Sequence, residues 1–276
     1  MTSEPPGRRP QASNLGRLLR EWRTLRGTSQ LNLSMTTGIS QRHLSFIESG
    51  RSTPGRDTLM TIAEALQVPL RERNDLLLAA GFAPLYPEPG LDEPHMRRIV
   101  AAAERLLAQQ EPYPAMLMDR HWSVVAANEA APRFFGRFVD LAAWPKSRNL
   151  LRLMFDPAGL RPFVRDWDRV SATLIARMRR EAVAGVLDAE GQQLLDELMA
   201  YPDVPSSVGQ PFAEDDLPMI PITFAKNGVI LRYFSMIATV GTPTTVTAQE
   251  LRIECMFPAD DATERDHLTF LNAASA

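Results

Sequence analysis

Apolar side chains recur at helical spacing through the first third of the chain, and β-type segments become frequent only near its end. Leu15, Leu18, Leu19, Trp22 and Leu25 give one buried face to a helix expected from Ser13 to Arg26, which Gly27 ends. Ser29 is a good N-cap for a second helix, whose apolar contacts come from Leu31 and Met35 or Leu33. Gly38 then accommodates a backbone turn that a side chain would oppose. Ser40 caps a third helix, with Leu44 and Ile47 facing inward and Gly50 stopping it after Glu48. Pro54 and Gly55 introduce a fourth, with Leu59, Ile62, Ala63 and Leu66 at core spacing. Pro69 and the stretch 71–80 make a fifth, closed by Gly81.

The pattern changes after Tyr86-Pro87-Glu88-Pro89-Gly90, a turn-rich linker. An amphipathic helix is expected over 95–110, then short strands at 115–118 and 123–127 joined by the turn Asp119-Arg120-His121. Asn128 opens a helix carrying Phe134 and Phe135. Leu150, Leu153, Met154 and Phe155 form an apolar cluster, and Trp167, Val170, Leu174, Ile175 and Met178 stripe a long helix. A further helix is expected around 191–201, followed by a Pro-rich acidic loop over 202–218. Strands are expected at 220–225, 229–239 and 250–257, with Asn227-Gly228 as a hairpin signal, and 263–271 closes as a helix. The layout is an all-α domain at 13–82 and an α+β domain at 91–276, with no internal repeat.

The net charge of -3 hides an asymmetry. Residues 1–81 carry eleven Arg and no Lys against seven acidic residues, whereas the remainder has nineteen basic and twenty-six acidic ones. A basic module joined to an acidic one fits a first half that meets phosphate and a second that does not. Cys255 is the only cysteine, which excludes intrachain disulfides and thiolate zinc clusters and suits a reducing cytosol. The amino-terminal stretch 1–12 is rich in Pro, Gly and Arg, lacks an apolar targeting core, and reads as a disordered arm. No apolar run approaches a membrane span, so a cytoplasmic protein without a membrane partner is expected. The four histidines lack metal-ligand spacing, and G-x-S-x-G, Walker-type and G-x-G-x-x-G motifs are absent, so no catalytic residue, metal site or enzyme activity is expected.

Two short helices with a glycine turn between them form a helix-turn-helix, whose second helix is suited to the major groove. Gln41, Arg42, His43 and Phe46 lie on its outward side. Gln pairs bidentately with adenine, Arg with guanine, and an apolar side chain rests on a thymine methyl. The bland alternative is an ordinary solvated face. The whole module resembles the Xre or phage-repressor-like (lambda-repressor-like) family. The resemblance is carried by Leu15, Leu18, Arg20 and Arg26; Ser29, Gln30 and Leu33; Gly38-Ile39-Ser40; Leu44 and Ile47-Glu48-Ser49-Gly50-Arg51; and Pro54, Leu59, Ala63 and Leu66. It implies that Gln30 and Arg51 meet backbone phosphate and that Gln41 and Arg42 read bases; Ser40, His43 and Phe46 are expected to complete the surface by their place at helix 3. A homodimer on double-stranded DNA with a palindromic operator is expected. Ser34 stands where that family usually has Ala, and Gly55 where Ser commonly caps.

Strand, turn, strand, Asn and short helix is how a PAS-type sensor begins. The second half resembles the ligand-binding domain of MmyB-like transcription regulators, through Tyr113-Pro114-Ala115, Trp122, Asn128, Phe135-Gly136, 149–155, Asp166-Trp167 and Arg177. That resemblance is good over 113–180 and poor beyond about residue 200. It implies a PAS-like domain holding a small apolar, fatty-acid-like ligand. The candidate lining is Trp122, Asn128, Phe134, Phe135, Trp144, Phe155, Trp167, Tyr233 and Met236. Large aromatic and Met side chains adapt to irregular apolar guests, yet at helical spacing they serve equally as core. Arg152, Arg165 and Arg177 are partners for a ligand carboxylate or exposed helix residues. The expectation is a ligand-responsive regulator. The rivals are a second domain that only dimerises or recruits a protein partner, and a redox sensor binding flavin or haem, for which His121 is the candidate ligand.

Overall fold

Among the described residues up to Pro89 there are five helices: α1 (Pro10–Leu25), α2 (Gln30–Thr37), α3 (Gln41–Glu48), α4 (Arg56–Ala65) and α5 (Leu70–Ala79). The computed structural model describes residues 10–142, 148–181, 188–201, 203–204, 219 and 221–272. The expected start of α1 at Ser13 falls three residues inside the helix. Leu15, Leu19 and Trp22 are buried on its inner face, which packs against α3 and α5. The reading of α2 needs correction, because Leu33 alone is buried while Leu31 and Met35 stay 53% and 70% exposed. Residues two apart on a helix point to opposite sides, so an eight-residue helix that buries 33 turns 31 and 35 outward.

The second unit runs through α6 (Pro94–Gln109), β1 (Ala115–Met118), β2 (Val124–Ala127), α7 (Ala130–Gly136), α8 (Leu150–Phe155), α9 (Trp167–Glu181) and α10 (Ala189–Met199). It continues with β3 (Ile222–Lys226), β4 (Val229–Thr239), β5 (Arg252–Pro258) and α12 (Asp261–Asn272), while α11 (Val246–Glu250) lies in the connection between β4 and β5. The strands form one antiparallel sheet in the order β2-β1-β5-β4-β3. Asn227 and Gly228 both take positive φ, 50° and 81°, as a two-residue hairpin between β3 and β4 requires. All four residues of β1 are buried. Met116 and Met118 belong to a large core cluster that includes Trp122, Phe155 and Trp167. Phe134 sits at the centre of an aromatic group, with the rings of Phe135, Phe138, Phe224 and Tyr233 all 5.2–5.3 Å from its own.

One segment breaks the simple division. Thr242–Gln249, part of the connection between β4 and β5, packs with the chain up to Pro89 rather than with the sheet it joins. No helix among the described residues is long and apolar enough to cross a membrane.

Candidate functional site

The turn between α2 and α3 is built from local hydrogen bonds. Ser29 Oγ accepts the Asn32 amide at 3.0 Å, and Ser40 Oγ accepts the His43 amide at 3.3 Å, so both helices start on side-chain caps. Gly38 closes α2 with φ 72°, a left-handed conformation that would strain any other residue. Ser40 is thereby committed to holding the first turn of α3. Gln41, Arg42 and His43 are exposed on that turn, and Arg51 is exposed just beyond the helix. Phe46 is half-buried and organises the patch: the guanidinium carbons of Arg42 and Arg51 stand 5.3 Å and 5.9 Å from its ring centroid. Two cations held close to one aromatic ring make a positively charged patch on the outward side of α3.

Beneath that surface lies a charge cluster. Glu48, 6% exposed, accepts Arg23 Nε at 2.6 Å and Arg23 NH2 at 3.0 Å, and Gln30 Nε2 at 2.9 Å. Arg20 adds a bond to the Glu48 carbonyl at 3.1 Å. Burial pushes the Glu48 carboxyl up, but the hydrogen bonds from Arg23 and Gln30 and the charges of Arg23 and Arg20 outweigh it and hold the group below the usual range. Gln30, expected at phosphate, thus spends one amide N–H inside the protein and keeps a second. Gly16 permits this approach of α1 to α3, since a Cβ there would meet the Glu48 carbonyl oxygen at 2.5 Å. Neither Gly16 nor Arg23 stood out in the sequence, because the contact joins residues 25 or more positions apart.

In the second unit a cavity of about 590 Å³ opens beside β2, α7 and the start of α8. Val124 to Ala127, Ala131, Phe135, Leu150 and Leu153 give it an apolar wall. Asn128 and Asn149 also line it, but both amides are already employed. Asn128 Oδ1 accepts the amides of Ala115 and Ala131, and its Nδ2 donates to the Tyr113 carbonyl. Asn149 caps α8 at the Arg152 amide and donates to the His121 carbonyl. Among the described residues of the lining, Arg148 is the one charged group.

Residues 99–268, more than half of the chain, match the family described as MmyB-like transcription regulator ligand binding domain. The chain belongs to that family. Residues 19–73, which hold α2, α3 and α4, match the helix-turn-helix family. No curated protein matches the chain. A helix-turn-helix joined to an MmyB-like ligand-binding domain makes this a DNA-binding transcriptional regulator. The match extends well past residue 200, where the resemblance in the sequence faded.

The MmyB-like domain brings only part of the sequence-derived lining together. Asn128 and Phe135 border the 590 Å³ cavity. Trp122, Phe135 and Tyr233 border a separate internal space of about 30 Å³, room for little more than a water molecule. Phe134 is fully buried in the aromatic group, and Phe155 packs edge-on against Trp167 with centroids 4.8 Å apart. Arg152 pairs with Glu197 at 3.0 Å and Arg177 with Glu254 at 2.8 Å, so neither is held in reserve for a carboxylate. Arg165 is exposed, outside the cavity lining. Met236 is 60% exposed on β4 and is not among the residues that line the cavity. Trp144 lies outside the described residues. His121, weighed as a haem ligand, instead places Nε2 3.0 Å from the Asp188 carboxylate. The residues that the sequence did not mark as lining include the modest side chains of Val124 to Ala127 and Ala131, which leave the space, and Arg148, its charged group.

Proposed function

We propose that the protein is a homodimeric regulator that reads a palindromic operator through α3, and whose operator binding is set by an apolar, fatty-acid-like ligand in the 590 Å³ cavity. The observation that carries this is the lining itself: apolar walls, two asparagines already satisfied by backbone, and Arg148 as the charged group. An acyl chain fits such walls, and a guanidinium suits a carboxylate head. The β1–β2 hairpin followed by Asn128 and α7 supports a PAS-like reading of the domain. Exposed Ile230, Met236 and Ile237 on β4 support a dimer contact in the second unit. On the DNA, Gln41, Arg42, His43 and Phe46 face bases while Gln30 and Arg51 meet phosphate, with half-sites about 34 Å apart.

The ligand reading is tested by native mass spectrometry of the purified protein and by thermal shift with sodium dodecanoate. A stabilising shift that Leu153→Trp abolishes and Arg148→Ala weakens is expected. No co-purifying lipid together with no shift for any alkyl carboxylate would leave the second domain as a dimerisation or recruitment module. Light scattering settles the oligomer, with a dimer expected.

A further inference from the structure

The helices of the DNA-binding unit are capped unevenly. Ser29 and Ser40 cap α2 and α3 from the adjacent residue, but Pro69 precedes α5 and offers no side-chain acceptor. The acceptor comes from 179 residues away: Gln249 Oε1 takes the Leu70 amide at 2.7 Å. Gln249 ends the segment Thr242–Gln249 that packs with the first unit. The same segment donates the Val246 amide to the Pro87 carbonyl at 3.0 Å and Thr247 Oγ1 to the Pro89 carbonyl at 2.8 Å. Val246 and Ala248 are 0% and 3% exposed, so the segment is a folded part of that unit rather than a loose loop.

The next residue, Glu250, is held by the second unit. Its carboxylate accepts Arg120 NH1 at 2.8 Å, and Arg120 also stands 3.2 Å from Asp188. Arg120 belongs to the β1–β2 turn. The carbonyls of the following two turn residues accept from the cavity wall: His121 O from Asn149 Nδ2 at 2.7 Å, and Trp122 O from the Leu150 amide at 3.0 Å. Asn149 and Leu150 both line the 590 Å³ cavity.

We infer that this chain of bonds is the coupling route of the regulator, from Asn149 and Leu150 through the 119–122 turn to Glu250, then across one peptide bond to Gln249 and the start of α5. The wiring is read from hydrogen bonds alone. Its use as a ligand signal rests on the proposed cavity function. A ligand that re-seats Asn149 and Leu150 moves the turn, and Arg120 passes that displacement to Glu250. Gln249 then tightens or releases the first turn of α5, an element that packs on α1 and α4 inside the DNA-binding unit. Coupling needs a two-ended perturbation to establish it, and this route supplies both ends.

Hydrogen exchange read by mass spectrometry on the full chain tests it. Gln249→Leu, Glu250→Gln and Arg120→Gln are each expected to raise exchange of the 70–73 amides several-fold while α3 keeps wild-type protection. Arg120→Lys, which retains the charge, is expected to fall between Arg120→Gln and wild type. Wild-type rates at 70–73 in Arg120→Gln, or a uniform rise across both units, would overturn the route. Sodium dodecanoate is then added to wild type and to Arg120→Gln. A change at 70–73 in the former that is lost in the latter is expected. If dodecanoate alters exchange at 124–131 but not at 70–73 in wild type, the route fails while the ligand reading stands. If it alters neither stretch, the ligand reading fails and the variant comparison alone decides the wiring.

Discussion

The two units solve opposite problems with polar side chains. In the DNA-binding unit the polar groups of the candidate surface are exposed, and the buried carboxylate of Glu48 ties α1 and α2 to α3. In the MmyB-like unit the buried polar groups Asn128 and Asn149 sit at the cavity yet spend their bonds on backbone. An outward surface needs correct placement of a few residues on one short helix. A cavity needs the absence of bulk at positions drawn from several elements, and no residue type marks an absence. Charge teaches the same lesson. Much of the basic excess of the first unit is spent inside it: Arg17 on Glu21, Arg20 and Arg23 on Glu48, and Arg26 on the carbonyls of Leu66 and Gln67. The outward patch on α3 owes its charge to Arg42 and Arg51 beside Phe46, not to the total.

The largest expected effect tests whether the units are stabilised separately. Arg23→Ala removes the main partner of a buried carboxylate and should cost the first unit about 3 kcal/mol. Urea unfolding followed by site-resolved exchange should show the first unit opening earlier with α8 and α9 unmoved. Equal loss in both would erase the distinction drawn above. Next, Arg42→Ala should cost about 1–3 kcal/mol of operator affinity and relax preference at one base pair, measured by selection from random DNA. An unchanged preference would remove Arg42 from the base-reading set. Ser29→Ala should cost about 1 kcal/mol of stability through the lost cap on α2, whereas the cap on α5 should survive it, because Gln249 supplies that one.

The smallest effect is a contrast in pH. His267 is fully buried, donates Nε2–H to the Pro112 carbonyl and stands 2.6 Å from the Tyr233 hydroxyl through Nδ1. Burial lowers its pKa, as does Arg133, against the raising effects of the Pro112 bond and Glu111. Unfolded, it titrates near pH 6.5. Below that pH the unfolded chain takes up a proton that the folded chain refuses, so the second unit loses stability as pH falls toward the lower folded value. Glu48 is depressed instead, so its contribution to the first unit is present above about pH 4.3 and lost only as pH drops below that. Thermal melts of the two units at pH 7, 6 and 5 check the contrast, and His267→Gln should flatten the response of the second.

Most of the first unit was legible in the sequence because its signals are local. Ser29, Gly38 and Ser40 act on neighbours within a few residues, and the apolar period of α1, α3 and α4 marks their buried faces without reference to anything distant. The exceptions are Leu31 and Met35 on α2, where an eight-residue helix offers too few turns to show its period, and Leu25, which ends α1 46% exposed. The hairpin at Asn227-Gly228 was equally legible, for the same reason. The candidate cavity was only half so: Asn128 and Phe135 were in view, but Val124 to Ala127 and Ala131 were not.

By itself, then, the sequence determined the helix-turn-helix at 29–50, its caps, its outward face and the change of pattern after Pro89, because each depends on residues close along the chain. Tertiary structure alone decided that Arg23 and Gln30 serve Glu48, that small residues on β2 and α7 open a cavity, and that Gln249 completes a helix 179 residues earlier. Those features are made by partners far apart in sequence, and a residue carries no local mark of the distant group it will meet.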